Sequence, residues 1–460
     1  MDRATLSTAN NSQAGEKKDG HTVVYILGVR GCQHLGYGNA KMRVNPTTRW
    51  NQRVVDGHIA HDLTTRAMID AGVQAIIDGG DLTHRARPVP RDVELANRVD
   101  DLRARANVWG LGNSGNHCAG AGTDISAMGT MHRPDLGMHA VYPDPRRGAG
   151  DGTGPHPGLY EIHRPVDGLA IHAVSHYGLD RSLADAGVHI DPAPLPGHVN
   201  LFICHGTFEA DGRLYHCIDP EGQERPIPVE WAGRGWDAML LSHYHSLGAV
   251  PGHEQDGPGQ VWYTGSSLTR GFSDELGPRG WLHVTVEDAG RVHVQARTIW
   301  QRPQYDLPII NAADLSTDAI DSLITERIDS LDLEDGQSAN LTQDAGAIVR
   351  QRIASTTPAQ RAALRALQPR WNRLASAAAS WQIDYPRSPM RPLIENSGPV
   401  QRLITGRVTD YGTELEARAV DLAARIGVPD VIADPVHAKA LEWARQITPA
   451  SATSNVTDTS

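Results

Sequence analysis

Short apolar runs alternate with polar loops and longer amphipathic stretches in the N-terminal quarter of the chain. Thr22–Val29, Val73–Ile77 and Val108–Leu111 are apolar and short enough to form buried strands. Between them, Thr48–Ala71 and Asp92–Ala106 carry apolar residues at helical spacing. This succession of strand, loop, helix and strand predicts a layered α/β domain.

Further short apolar runs continue through the middle of the chain, and each is followed by a polar or glycine-containing turn. These predicted strands are Leu169–Val174, Val199–Cys204, Ala238–Leu241, Val261–Tyr263 and Trp281–Val286. A start rich in parallel strands with a strand-dense continuation predicts two packed β-sheets with helices outside. The intervening segment Gly120–Gly158 is rich in Gly, Pro, His and Arg, and we predict a long surface loop there.

The pattern changes beyond Thr298. Ala313–Asp329 has helical spacing within an acidic stretch, whereas Ala345–Ile383 contains six arginines and no acidic residue. Such a block is either a solvated face or a basic surface for a polyanion or an acidic partner, and both interpretations stay open. Glu414–Ile426 and Ala438–Ile447 predict two amphipathic C-terminal helices.

Composition narrows the class of protein. The 460 residues include 43 basic and 54 acidic side chains, so the formal net charge is −11 and bulk charge does not favour nucleic acid. Four cysteines are too few for a disulfide framework in a chain of this length. The sequence contains no apolar run near the ~20 residues of a membrane span and no secretory signal. We therefore expect an intracellular, cytoplasmic protein without a membrane partner.

Side chains with metal-ligating chemistry follow the predicted strands directly, where an α/β scaffold places functional loops. Residues two apart in an extended segment face the same side, so His243 and His245 can reach one point. The same geometry applies to Cys32 and His34. The five blocks that share this position are Cys32-Gln33-His34, Gly80-Asp81, Gly115-Asn116-His117, Cys204-His205-Gly206 and Ser242-His243-Tyr244-His245.

These blocks together predict a centre of two divalent metals. They offer a thiol, an amide oxygen, several imidazoles and the carboxylate of Asp81, which can bridge two cations. Two cations ~3.5–4 Å apart neutralise an anionic phosphodiester and lower the pKa of a bound water. His117, directly after Asn116, is then placed to stabilise the phosphate or to protonate the leaving oxygen.

The order of the blocks resembles D-x-H, G-D, G-N-H-D, H and G-H-x-H of the calcineurin-like metallophosphoesterases. Several details resemble the SbcD type of DNA-repair exonuclease within that superfamily, over roughly Thr22–Ser388. The segments that carry this resemblance are Cys32–Gly36 (D-x-H-L-G), Gly80–Pro88 (G-D-L-F-D-x-x-x-P), Tyr263–Ser267 (Y-P-G-S), and Arg302-Pro303 with Ala347–Arg350 in the small capping domain.

The resemblance implies a fold class and a domain arrangement. The fold is α/β, with two packed β-sheets flanked by helices (the metallophosphoesterase fold), a small α/β cap and C-terminal helices. The expected division is a disordered lead-in at 1–21, a metallophosphoesterase (nuclease) domain at 22–298, a capping domain that contacts DNA at 299–398, C-terminal helices for partner binding at 399–447 and a polar tail at 448–460.

The resemblance also implies ligands and partners. It assigns His117 as the catalytic histidine, and the metals of this family are usually manganese. The implied partners are DNA, an SMC-like ATPase of the SbcC type and a second copy of the chain in a homodimer. The implied ligands are Cys32, His34, Asp81 and His245 for one metal and Asp81, Asn116, His205 and His243 for the other. The arginines that we expect to contact DNA are Arg350, Arg352, Arg361 and Arg365.

This sequence departs from the family pattern at several positions. Cys32 stands where the family has a metal-binding aspartate. Cys118 and His84 each replace a further aspartate, and Ser242 replaces a glycine. A thiolate prefers zinc or ferrous iron to manganese, so Cys32 either retunes the first metal site or weakens it. Three functions therefore stay open: a metal-dependent DNA phosphodiesterase (an exo- or endonuclease subunit), a phosphoesterase for a small substrate, and a catalytically impaired DNA- or partner-binding subunit.

Overall fold

The structure is a computed structural model. The residues that it describes are 17–18, 21–118, 126–144, 156–184, 190–210, 213–214, 225–254, 257–272, 277–288, 290–333 and 346–386. They all belong to one compact unit, Met1–Ile404. The predicted C-terminal helices at 414–426 and 438–447 and the polar tail lie outside the described residues, so they stay predictions.

Strands and helices alternate along the described chain. The strands are β1 (Lys17–Lys18), β2 (His21–Arg30), β3 (Ala75–Asp78), β4 (Trp109–Asn113), β5 (Met138–Val141), β6 (Tyr160–His163), β7 (Leu169–Val174), β8 (Val199–His205), β9 (Glu209–Ala210), β10 (Arg213–Leu214), β11 (Ala238–Ser242), β12 (Leu247–Ala249), β13 (Gln260–Thr264), β14 (Gly280–Glu287), β15 (Val292–Thr298), β16 (Gln304–Asn311), β17 (Ile348–Ala354) and β18 (Ser380–Asp384). The helices are α1 (Gln52–Asp70), α2 (Pro90–Arg105), α3 (His176–Leu183), α4 (Val229–Ala232), α5 (Thr317–Ser330) and α6 (Pro358–Leu374), with 3-10 helices at Ala127–Met131 and Pro134–Leu136. Within the described residues, none of these helices combines the length and the apolar character that a membrane crossing requires.

The first sheet has the strand order β15-β14-β2-β3-β4-β5, and β1 pairs with β2. Strands β2, β3, β4 and β5 run parallel to one another, whereas β14 is antiparallel to β2 and to β15. Helices α1 and α2 connect β2 to β3 and β3 to β4, as parallel pairing requires. The functional loops after β2, β3 and β4 therefore lie at one edge of this sheet.

The second sheet has the strand order β12-β13-β11-β8-β7-β6. Its central strands β7, β8, β11 and β13 are parallel, and the edge strands β6 and β12 are antiparallel to their neighbours. A separate two-stranded pair is formed by β9 and β10. The loops after β8 and β11 consequently lie together at one edge of the second sheet.

The two sheets pack against each other through one apolar core. Its fully buried side chains include Ile77 and Leu282 of the first sheet and Ile171, Ile203 and Leu240 of the second. Burial of each such side chain contributes about 1.5–3 kcal/mol. Because β3, β7 and β11 are buried along their whole length, they appear in the sequence as continuous apolar runs. The predicted fold class, two packed β-sheets flanked by helices, is confirmed.

One sequence prediction about this part of the fold is wrong. The predicted surface loop Gly120–Gly158 contains, over its described residues 126–144, two 3-10 helices and the strand β5, which extends the first sheet. Met128, Met138 and Tyr142 are buried there in a cluster with Leu35 and Cys118. Residues 126–144 contribute to the core because most of their apolar side chains are buried, although the composition of the segment is that of a loop.

Beyond Thr298 the chain forms a third sheet of its own. It has the order β16-β17-β18, all parallel, with α5 and α6 as its crossover helices. Ile324 of α5 and Leu364 and Trp371 of α6 are buried against it. The predicted helix at Ala313–Asp329 corresponds to α5. The division of the chain into a nuclease domain and a cap stays a prediction.

A buried ion pair joins this third sheet to helix α1. Arg302 donates from Nε and Nη2 to the two carboxylate oxygens of Asp56, at 2.7 and 2.6 Å, and both side chains are fully buried. Asp56 also accepts from Arg53 at 3.3 Å, while Arg302 donates to the backbone oxygen of Gly346 at 2.7 Å. Burial alone would raise the pKa of Asp56, but the two guanidinium groups outweigh it and lower this pKa.

We expect Asp56→Asn to lower the free energy of unfolding by about 3–5 kcal/mol, because it leaves two buried guanidinium groups without a counter-charge. The matched control is Asp384→Asn, which removes the exposed ion pair of Asp384 with Lys41 and should cost less than about 1 kcal/mol. Urea unfolding followed by circular dichroism measures both. Equal losses in the two variants would contradict the structural role of the buried pair.

Candidate metal centre

The five sequence blocks meet at the adjoining carboxyl edges of the two large sheets. Cys32 follows β2, Asp81 follows β3, and Asn116 with His117 follows β4. In the second sheet His205 is the last residue of β8, and the His243 block follows β11. Because parallel strands present their carboxyl ends at a common edge, residues far apart in sequence are brought together here.

The backbone at this edge is held in an uncommon conformation. Cys32, His34 and Asp81 have φ values of 49, 46 and 55°, and His243 has φ 108°. These four are among seven non-glycine residues with positive φ in the described part of the chain. The backbone N–H of Cys32 donates to the carbonyl of Gly80 at 2.8 Å, and that of His34 to the carbonyl of Asp81 at 2.9 Å. Strain of this kind, fixed by cross-loop hydrogen bonds, clusters at functional sites.

Cys32, His34 and His245 form the first ligand group. All three are buried, and one potential ligand atom of each lies within 4.8 Å of the others. The Nε2 atoms of His34 and His245 are 3.1 Å apart, close to the roughly 3.3 Å edge of a tetrahedron whose metal–nitrogen bonds are ~2.0–2.1 Å. Burial lowers the pKa of His34 well below its ordinary value despite the nearby Asp81 carboxylate, so this imidazole is in the neutral, ligating form.

Cys32, Asp81 and His205 form the second group, also buried and with ligand atoms within 4.8 Å of one another. His205 Nε2 lies 3.2 Å from Asp81 Oδ2 and 2.9 Å from Asn116 Oδ1. Burial alone would raise the pKa of Asp81, but the His205, His117 and His34 imidazoles hold it well below its ordinary value. Lewis donors of three kinds, thiol sulfur, carboxylate oxygen and imidazole nitrogen, thus converge, which fits a cation. Cys32 belongs to both groups.

The orientation of the His205 ring is set by packing. Its Nδ1 atom is buried, has no hydrogen-bond partner in the described structure, and lies against Gly80. Gly80 has φ 130°, and a Cβ atom at this position would collide with His205 Nδ1. Glycine at position 80 therefore lets the ring approach the loop and direct Nε2 towards Asp81 and Asn116.

His243 lies beside these groups and belongs to neither of them. Its ring packs edge-on against His205 with centroids 5.2 Å apart, and its backbone N–H donates to Cys32 Sγ at 3.3 Å. The role of His243 as a metal ligand stays a prediction.

His176 is a neighbour of the site that the sequence analysis missed. It is buried at the start of α3, donates from Nδ1 to the backbone oxygen of His205 at 3.1 Å, and stacks near His243. Burial lowers its pKa to about 4. Its position two residues after β7 is the same signal that marked the other blocks, so it was detectable in principle.

His117 is held between Asp81 and His84. Its backbone N–H donates to Asp81 Oδ1 at 2.8 Å, and its Nδ1 bonds to the backbone oxygen of His84 at 2.9 Å. Its ring stacks on that of His84, with centroids 5.1 Å apart and planes 22° apart, and meets His34 edge-on at 4.7 Å. His84, which entered the sequence analysis only as a departure from the family pattern, is therefore part of the site.

Cys118 differs from Cys32 although both adjoin the same carboxylate. It is fully buried among apolar side chains, and its Sγ lies 3.9 Å from Asp81 Oδ1. Burial, together with the Asp81 charge, raises the pKa of the Cys118 thiol to about 12. Cys118 is therefore a neutral thiol at physiological pH and a donor towards Asp81, whereas Cys32 lies among the candidate ligands.

The predicted DNA-binding arginines lie on the third sheet and its helix α6. Arg350 and Arg352 both form ion pairs with Asp306, with closest N···O distances of 2.6 and 3.0 Å. The guanidinium groups of Arg361 and Arg365 lie 5.7 and 5.8 Å from the ring centre of Tyr385. Their contact with DNA stays a prediction.

Comparison with known proteins gives a likeness to a solved structure. No family model matches this chain, and no curated protein matches it. Among solved structures, the chain is similar to the crystal structure of a dimetal phosphatase from Danio rerio, with 11% sequence identity and a TM-score of 0.34 over 60% of this chain and 99% of that chain. The chemistry of the site is accordingly argued from its own geometry.

We expect Gly115→Ala to abolish tight binding at one or both metal positions, because a Cβ at this residue would overlap the Asp81 carboxylate. Gly38→Ala is the matched control, since its nearest neighbour would be an ordinary 3.5 Å contact with Val54. Metal content after equilibrium dialysis, measured by plasma emission spectroscopy, compares the two. Unchanged metal content in Gly115→Ala would contradict the placement of Asp81 at the centre.

Proposed function

We propose that the protein is a calcineurin-like metallophosphoesterase that hydrolyses phosphodiester bonds of DNA with a two-metal centre. The single observation that carries this proposal is the convergence of two overlapping ligand groups at the edge of two packed sheets, with a histidine beside them. Cys32 belongs to both groups, and Asp81 Oδ2 lies 3.2 Å from His205 Nε2 and 3.9 Å from His34 Nε2. Two cations at such a site would neutralise the negative charge of a phosphate ester, whereas a neutral substrate has no charge to be neutralised.

The donor set fits two divalent cations. When bound, they neutralise the phosphate charge and activate water for an in-line displacement. Manganese is the metal that the family resemblance implies, whereas the Cys32 thiolate favours zinc or ferrous iron at its position. The residues that would hold the cations are Cys32, His34, Asp81 and His245 at the first position and Asp81, Asn116, His205 and His243 at the second.

His117 would exchange a proton with the leaving oxygen. A carbonyl oxygen only accepts hydrogen bonds, so the bond to His84 fixes the proton of His117 on Nδ1. The Nε2 atom is then the one that can donate or accept a proton during the reaction. The hydrogen bond from the backbone N–H of His117 to Asp81 keeps the His117 ring beside the candidate metal ligands.

DNA as the substrate is supported by the resemblance to the SbcD type and by the arginines of helix α6. Arg361 and Arg365 beside Tyr385 combine positive charge with an aromatic face, which suits a nucleic-acid strand. Since the net charge is −11, we propose that a partner supplies part of the grip on DNA. An SMC-like ATPase of the SbcC type and a second copy of the chain are the partners that the resemblance implies.

A small phosphodiester is the second candidate substrate. Arg350 and Arg352 are both bonded to Asp306, so their charges are partly compensated within the protein. A small-substrate enzyme needs no steep salt dependence, whereas several arginine–phosphate contacts would produce one. The slope of binding against salt concentration therefore separates the two substrates.

We expect His117→Ala to reduce hydrolysis of bis(p-nitrophenyl) phosphate and of linear duplex DNA by about 10²–10⁴-fold, because the proton transfer is lost. The matched control is His139→Ala, a histidine of β5 that stacks on Trp109 and should retain full activity. Both proteins are assayed with manganese, zinc and ferrous iron in turn. Equal activity of His117→Ala and the wild type in every metal would contradict the role of His117.

Cys32→Asp tests whether the thiol sustains activity. We expect it to move the preferred metal from zinc or ferrous iron towards manganese, because a carboxylate replaces the soft ligand. Turnover in Cys32→Asp but in no metal for the wild type would show the third possibility, an impaired binding subunit. Activity on the small ester alone would favour the small-substrate enzyme.

A further inference from the structure

We infer that His34, His84 and His117 form a third metal site, distinct from the two-metal centre, for a borderline cation of the zinc class. One ring nitrogen of each residue lies within 4.8 Å of the others. The group contains no carboxylate and no thiol. A set of three imidazoles suits zinc and disfavours hard cations such as magnesium or calcium.

His34 reaches the two regions through different atoms. Its Nε2 is 3.1 Å from His245 Nε2, within the first ligand group, whereas its Nδ1 is 3.4 Å from His84 Nδ1. The latter distance also matches the roughly 3.3 Å between two nitrogens on a tetrahedral zinc ion. One imidazole can therefore bridge the two ions, with its ring proton passing to the solvent.

The other two rings are held in place by contacts that leave them partly accessible. His84 stacks on His117 and meets Tyr37 edge-on with centroids 5.0 Å apart. Tyr37 in turn donates from its hydroxyl to the backbone oxygen of Arg270 at 2.6 Å. His34 is buried, but His84 and His117 are only half-buried, so the group borders on solvent.

An ion at this site engages the same histidine that the proposed reaction uses. Since His117 carries its proton on Nδ1, Nε2 is the atom that can coordinate the ion. This atom is also the one assigned to proton exchange, so occupancy inhibits hydrolysis. This consequence, unlike the site itself, rests on the proposed function.

The test is a zinc titration of the full chain by equilibrium dialysis with plasma emission spectroscopy. We expect three equivalents of zinc in the wild type and two in His84→Gln. His84→Phe, which keeps the ring stack on His117, should also bind two, so a folding defect of the Gln variant cannot mimic the result. Tyr37→Phe, which alters the neighbour and keeps all three imidazoles, should bind three.

Equal zinc stoichiometry in the wild type and in both His84 variants would overturn the third site. As a second readout, zinc beyond two equivalents should slow hydrolysis of bis(p-nitrophenyl) phosphate at least 10-fold in the wild type. The same addition should not slow hydrolysis by His84→Phe. Absence of hydrolysis in every protein would overturn the proposed function alone, because the zinc count would still decide on the third site.

Discussion

The structure depends on one packing constraint: two sheets share an apolar core, and the carboxyl ends of their parallel strands meet at a common edge. Burial of Ile77, Leu111, Ile203 and Leu240 in that core fixes the two sheets relative to each other. Asp81 follows β3 and His205 ends β8, so the core brings both side chains to this common edge. Hydrogen bonds between the loops and packing against Gly80 then fix their orientation.

Bringing these residues together destabilises the fold locally at the carboxyl edge of the two sheets. Polar and titratable groups are buried beside one another, and Cys32, His34 and Asp81 adopt left-handed backbone conformations that are uncommon for residues with side chains. Mutual hydrogen bonding among the imidazoles and the Asp81 carboxylate offsets part of the desolvation. A bound cation would offset the rest, and this is the physical reason why we assign the cluster to metal binding.

Apolar runs predicted eight strands of the two large sheets with ends within two residues, because buried strands appear as continuous apolar runs. The strands of these sheets that were not predicted are β1, β5, β6, β12 and β15. The third sheet was not predicted from such runs, since β17 alternates buried residues with Arg350 and Arg352. Strand β5 was missed because four residues in a Gly- and Pro-rich segment carry too little pattern. At the site, the rule that functional residues follow strands found the residues of both candidate ligand groups, whose metal-binding role stays a prediction. His84 and His117 come into contact only in the folded structure, so the spacing of residues along the sequence does not indicate this contact.

Anomalous diffraction from crystals grown with zinc, and separately with manganese, tests the central claim most directly. We expect two peaks at this edge of the sheets with either metal, one about 2.3 Å from Cys32 Sγ and about 2.0–2.1 Å from ring nitrogens of His34 and His245, and one near Asp81, Asn116 and His205. With zinc, the inferred site at His34, His84 and His117 adds a third peak. Absence of any peak within bonding distance of these side chains, with either metal, would contradict the account.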